Sequence, residues 1–145
     1  MQKKGLILIL LLITSFQLTH AKDDNCMKYD YSRILMNNNI LGYIGNGQRL
    51  YIHFDTIYKD KVKAELYHVI GKSRVKNNIT CFIGNIHIST FKQLDAEYYP
   101  INRYKIIAKY EFKEDSTQYD TGVFSGRLES DFFIYKDSVY MDEIY

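Results

Sequence analysis

The sequence predicts a mainly β domain. Its expected form is one antiparallel sheet, curled or closed into a small up-and-down barrel of about seven to eight strands. One or two short helices and a cleaved N-terminal signal complete the expectation. Three observations carry it. Residue usage favours strands: the 145 residues include 14 Tyr, 8 Phe and a single Pro, and Ile, Val and Thr are plentiful. From Leu50 onward apolar and polar side chains alternate with a period of two over most of the chain. The segment Gly122-x-Phe124-x-Gly126-x-Leu128-x-Ser130-x-Phe132 alternates small and large side chains on one face. Such a face fills the tapered inside of a small barrel and lets a strand bend.

Residues 1–21 read as a secretory signal. Lys3 and Lys4 precede the apolar run Leu6–Ile13, and Thr19-His20-Ala21 offers a cut between Ala21 and Lys22. The run is far shorter than the roughly 18 apolar residues a spanning helix needs. Export to the periplasm or the exterior is therefore expected, with no stable membrane anchor after cleavage. Removing Lys3 and Lys4 from the 19 basic residues leaves them equal to the 17 acidic ones. The overall charge then gives no reason to expect nucleic acid or an anionic membrane as a partner.

Residues 22–39 form an N-terminal arm or short helix, and 40–145 the barrel domain. In the arm, Tyr31, Ile34 and Leu35 share a helical face and Asn37-Asn38-Asn39 would stop the helix. Cys26 and Cys81 are the two cysteines. In an oxidising compartment a pair is expected to bridge, closing a loop of about 55 residues; lipidation of Cys26 and two unpaired thiols are the alternatives. Leu50, Ile52 and Phe54 mark one strand. Val62, Ala64, Leu66, His68 and Ile70 mark the apolar face of the next, after a loop at Tyr58-Lys59-Asp60. Ile79, Cys81 and Ile83 share a face, while Ile86 and Ile88 are out of phase, so a bulge is expected at Gly84. Thr90 and Gln93 match a capping box, and Phe91, Leu94 and Tyr98 fit a short helix before Pro100. Tyr104, Ile106, Ala108, Tyr110 and Phe112 give the clearest amphipathic strand, and Lys113–Thr121 a polar loop. The long strand from Gly122 ends in a two-residue turn at Lys136-Asp137, which would set Ile134 against Val139 and Phe132 against Met141.

Gly42, the stretch Gly71–Asn78, and Tyr110-Glu111-Phe112-x-Glu114-Asp115 before Gly122-x-Phe124-x-Gly126 resemble small exported lipocalin-like β-barrel proteins of Bacteroidota. The resemblance covers Gly42–Tyr145 and implies the barrel fold. Its motifs are structural and imply no activity. The chain has no tryptophan and hence no Gly-x-Trp of the lipocalins.

No complete catalytic set is present. Gly71-Lys72-Ser73 lacks the upstream glycine of a phosphate loop, since Leu66 stands there, and Gly42-x-x-Gly45-x-Gly47 has the wrong spacing for a dinucleotide fingerprint. Ser125 is in no nucleophile elbow. His53 and Asp55 could present two metal ligands, but an exposed polar face explains them better and no metal or cofactor is expected. Glu129 and Asp131 beside Arg127 read as a solvated face rather than as an acid and base. His68 on an apolar face is either a satisfied core histidine or a polar anchor in a cavity with Tyr104, Tyr110, Phe124 and Phe132. Outward tyrosines, Tyr51, Tyr67, Tyr135 and Tyr140, would suit a docking surface.

The expected function is a non-enzymatic binding module. It would take a small apolar ligand inside or an envelope or secreted protein outside. An inhibitor or immunity protein that blocks an exported hydrolase through a loop at Gly71–Asn78 is the alternative, and a hydrolase comes third. The state of the interior, filled or hollow, separates the carrier from the surface readings.

Overall fold

A computed structural model describes residues 27–36, 40–45, 47–94 and 102–142. The signal, its cleavage site at Ala21–Lys22, and Cys26 lie outside the described residues. The elements run α1 (Ser32–Met36), β1 (Ile40–Ile44), β2 (Gln48–Lys59), β3 (Leu66–Val75), β4 (Asn78–Gln93), β5 (Arg103–Glu114), β6 (Val123–Tyr135) and β7 (Ser138–Met141). All seven strands form one antiparallel sheet in sequence order. The sheet curls into a half-barrel around a single core, with α1 laid against β2, β6 and β7. This is the expected curled form, with an open rather than a closed edge.

The curl has a visible cause. Gly71 faces Phe82 across β3–β4, Gly84 faces Phe112 across β4–β5, and Gly126 faces Tyr110 across β5–β6. In each pair the aromatic ring lies over the glycine, where an added Cβ would come within 2.7 Å of it. A missing side chain opposite a large one lets adjacent strands bend toward the ring. The concave side is then filled by aromatics. Phe82 stacks on Phe112 at 4.7 Å, and Phe54 meets Phe82 edge-on at 6.1 Å and Phe112 at 5.7 Å. At the other end Phe132 is ringed by Tyr31, Phe91 and Tyr104 at 5.2 to 5.7 Å.

The β6–β7 hairpin forms in the expected register, Ile134 opposite Val139 and Phe132 opposite Met141. Lys136 and Asp137 have φ of 47° and 59°, the left-handed pair that a two-residue turn matched to strand twist requires.

Four expectations are corrected. The faces of β3 and β4 are inverted. Tyr67, Val69, Thr80 and Phe82 point inward, while His68, Ile70, Ile79, Cys81 and Ile83 point outward. Phe82, Ile86 and Ile88 keep one phase through Gly84, so no bulge lies there; the register shifts fall at Phe54/Thr56 and Ile88/Thr90. Thr90–Gln93 extends β4 opposite Ile107–Tyr104 instead of starting a helix, and 95–100 lie outside the described residues. Finally, β2 continues to Lys59, so the turn is Asp60–Glu65 and not Tyr58–Asp60.

The expected bridge between Cys26 and Cys81 is also overturned. Cys81 is a free, exposed thiol, because the inverted face of β4 points it away from the core. The arm is tied down by other means. Lys59 donates from Nζ to the carbonyls of Met27 at 2.5 Å and Tyr29 at 2.7 Å. The Tyr67 hydroxyl accepts the Tyr31 amide at 3.1 Å. Burial pulls the Lys59 ammonium below its ordinary pKa, and the nearby Asp30 charge partly opposes this. Ser32 starts α1 with its amide bonded to Asp30 Oδ1 at 2.9 Å.

Candidate functional site

The residues expected to line a cavity are separated by the sheet. Tyr104, Tyr110, Phe124 and Phe132 lie on the concave side, where they belong to or pack against the core. His68 lies on the convex side. It is not a core histidine: its side chain is 33 % exposed, and its Nε2 sits 2.8 Å from Asp60 Oδ2. The ring also lies against Tyr58 at 5.2 Å. Asp60 accepts the amides of Val62 and Lys63 on its other oxygen, both at 2.8 Å. The bond from His68, then those from Lys63 and Val62, hold the Asp60 carboxyl well below the usual carboxylate range. The pair therefore staples the β2–β3 turn.

The inversion of β3 and β4 creates the most distinctive surface of the molecule. Ile70, Ile79 and Ile83 are 46 %, 59 % and 64 % exposed on the convex face. The strand register places Ile70 directly opposite Ile83, and Ile83 opposite Lys113. A groove of about 390 Å³ runs here, with Tyr58 and His68 at one side and Asn85, Glu111 and Lys113 at the other. A second hollow of about 370 Å³ continues it through the same Ile70, Ile83 and Lys113 to Cys81 and Asp115. The centre is aliphatic and the rim polar. A further hollow of about 540 Å³ lies toward the β3–β4 turn between Tyr51, His53, Lys72, Arg74 and Ile79.

The expected docking loop at Gly71–Asn78 is not a loop. Gly71–Val75 is strand and pairs on both sides, leaving a two-residue turn at Lys76-Asn77. Tyr67, expected outward, is fully buried, and burial pushes its phenol well above the ordinary range.

The other candidate groups are spent on structure. Lys105 lies 3.4 Å from Asp131 and 3.5 Å from Glu129, and Arg127 lies 2.6 Å from Glu129. His53 and Asp55 stand 3.7 Å apart on the open surface. Among the described residues no group of three or more His, Cys, Asp or Glu side chains is placed to hold a metal ion. No helix of the described residues is long and apolar enough to cross a membrane.

Sequence reading missed Glu114. It continues the inward parity of Ile106, Ala108 and Phe112 and is buried. Its carboxylate accepts from the Ser73 hydroxyl and, at 2.8 Å, from the Gly122 amide. These bonds fasten the start of β6 to β3 across the mouth of the half-barrel. The alternation of β5 carried this signal, but the residue was grouped with the polar loop.

No protein-family model matches the chain, and no curated protein or solved structure resembles it to a significant degree. The fold is a curled antiparallel half-barrel of the kind seen in β-barrel and lipocalin-like proteins, and the functional reading rests on the surface itself.

Proposed function

We propose that the chain is an exported, non-enzymatic binding module that docks a protein partner on the convex face of β2–β5. The observation that carries this is the contrast between a concave side filled by Phe54, Phe82, Phe112 and Phe132 and the open aliphatic groove at Ile70 and Ile83. The aromatics leave the concave side a hollow of about 160 Å³ lined by Val75, Thr80, Glu114 and Phe124, well below the roughly 300 Å³ of small-molecule sites, which argues against a small apolar ligand held inside. Exposed isoleucines flanked by Tyr58 and polar groups offer the apolar centre on which docking energy concentrates. Export rests on the signal pattern of residues 1–21.

Site-specific photo-cross-linking in the native envelope tests the reading. A probe at Ile83 on the groove should capture one discrete protein, and a probe at Ser125 on the same convex face but outside the groove should not. Ile70→Glu should abolish the capture at Ile83. Absence of a discrete product from Ile83, or equal capture from both positions, would overturn it.

A further inference from the structure

The formal neutrality of the exported chain is a sum over an uneven surface. Toward the turns that join β1 to β2 and β3 to β4, the convex face carries Arg49, Lys72, Arg74 and Lys76, all exposed. Among the described residues none of these four has an ion-pair partner. The register aligns them with apolar side chains. Leu41, Tyr51, Arg74 and Ile79 form one continuous row across β1–β4, Tyr43 stands opposite Arg49, and Lys72 lies between His53 and Cys81. Leu41, Tyr43 and Ile79 are each more than half exposed. The Arg74 guanidinium lies 4.3 Å over the Tyr51 ring. The acids near these rows are engaged elsewhere: Asp55 is turned to His53, and Asp115, whose amide bonds the Cys81 carbonyl, accepts from Thr117.

We propose that this basic end docks reversibly on an anionic lipid bilayer. The proposal goes beyond the groove at Ile70 and Ile83 and does not depend on it. Three features favour a bilayer over a soluble polyanion. Aliphatic Leu41 and Ile79 are interleaved with the cations, and they gain nothing from a phosphate chain but enter an acyl boundary. Tyrosines of this kind suit the headgroup layer. Long basic side chains keep their charge among the headgroups while their stems lie along apolar surface. Four free cations at one end, each worth a modest attraction to an anionic surface, suffice for reversible binding.

Co-sedimentation with vesicles tests it. The protein is purified after export and its N-terminus sequenced, because an uncleaved apolar run would itself bind lipid. Vesicles of phosphatidylcholine alone are compared with vesicles that also contain phosphatidylglycerol. Binding should require the anionic lipid and weaken with salt. Lys72→Gln with Arg74→Gln should lower the affinity by about thirty-fold. Lys105→Gln with Arg127→Gln makes the same charge change on β5 and β6, where the cations already face acids, and should leave binding unchanged. Ile79→Ser should weaken it while preserving the fold. Equal loss from both double variants would show a diffuse charge effect and overturn the site. So would equal binding to neutral vesicles, or tight binding to an oligonucleotide with none to vesicles. None of these results bears on cross-linking at Ile83, so the groove can stand or fall separately.

Discussion

The outer surfaces of β3–β4 and β5–β6 belong to one sheet and differ in kind. On β5–β6 two of the cations are answered by acids, Lys105 by Asp131 and Glu129 and Arg127 by Glu129, while among the described residues Lys109 and Lys113 are not. On β3–β4 the cations Lys72 and Arg74 have no acid opposite, and exposed isoleucines stand beside them, Ile79 opposite Arg74 and Ile70 two residues before Lys72. The first arrangement is what a solvated sheet face needs. The second costs solubility and exposes apolar area that folding does not require. The difference teaches that exposed apolar and basic side chains stand together on β3–β4, the surface on which both proposals rest.

If that view is right, stability and surface chemistry should separate along a single strand, and β4 gives the largest effect. Phe82 is inward, stacked on Phe112 and nearly sealed; Ile83, the next residue, is outward. Phe82→Ala should cost about 3–5 kcal/mol by loss of burial and cavity formation. Ile83→Ala should change stability by no more than about 0.5 kcal/mol. Urea unfolding of the two variants checks the pair. A loss of several kcal/mol at Ile83 would mean that its exposed face belongs to the fold and would dissolve the contrast.

The next effect tests the curl that makes the face convex. A Cβ on Gly84 would stand 2.2 Å from the Glu111 carbonyl oxygen and 2.7 Å from the Phe112 ring. The first contact is with backbone, so the strands must part. Gly84→Ala should destabilise by about 1–3 kcal/mol. Gly42→Ala, where an added Cβ meets nothing within 4 Å, should stay near neutral. Thermal unfolding of both variants distinguishes a packing role from a general preference for glycine.

How much of this was legible depended on whether a strand had one polar face. On β5, Lys105, Lys109 and Glu111 alternate with Ile106, Ala108, Tyr110 and Phe112, so the inward side was unambiguous. The register of the β6–β7 hairpin followed from its two-residue turn. On β3 and β4 both parities are apolar: Tyr67 and Val69 against His68 and Ile70, Thr80 and Phe82 against Ile79, Cys81 and Ile83. A period of two cannot choose a face when both carry apolar residues. Val62 and Ala64 tipped the reading the wrong way because they lie in a turn, where Val62 is exposed. The exposed face of β3 was thus misread as core because it is apolar. The bridge was expected from the pairing of cysteines in an oxidising compartment, a rule that does not say where the strand points Cys81. The real anchors of the arm, Lys59 and Tyr67, come together through tertiary contacts that no local pattern announces.

A smaller effect is expected at the edge of the groove, and it is read in pH. The Asp60 carboxyl is held below its ordinary value of 3.8 by the bond with His68 and the amides of Lys63 and Val62. A carboxyl whose pKa is lower in the folded chain than in the unfolded one stabilises the fold above the unfolded value. That contribution is lost as the pH falls from about 3.8 toward the folded value. Asp60→Asn should therefore flatten the acid limb of the stability profile and leave the β5–β6 surface untouched. Denaturant midpoints measured from neutral to acidic pH check it. An acid limb as steep as that of the parent would show that Asp60 does not staple the turn.

The smallest effect is expected where the surface is most fully paired. Lys105 sits between Asp131 and Glu129, and those two charges raise its pKa, Asp131 more than Glu129. The pairs are exposed, and the entropy of holding long side chains and the screening by water absorb most of their attraction. A double-mutant cycle of Lys105→Gln and Glu129→Gln should give a coupling that is small at low salt and absent at high salt. Its value lies in what it says about the other half. If these well-matched pairs add almost nothing to stability, their acids serve to neutralise the face and keep it in solution. Lys72 and Arg74, on a strand of the same sheet without such acids, are then cations left available for a partner. A large, salt-resistant coupling at Lys105 would instead make the ion pairs part of the fold's framework, and the contrast between the two surfaces would become one of stability alone.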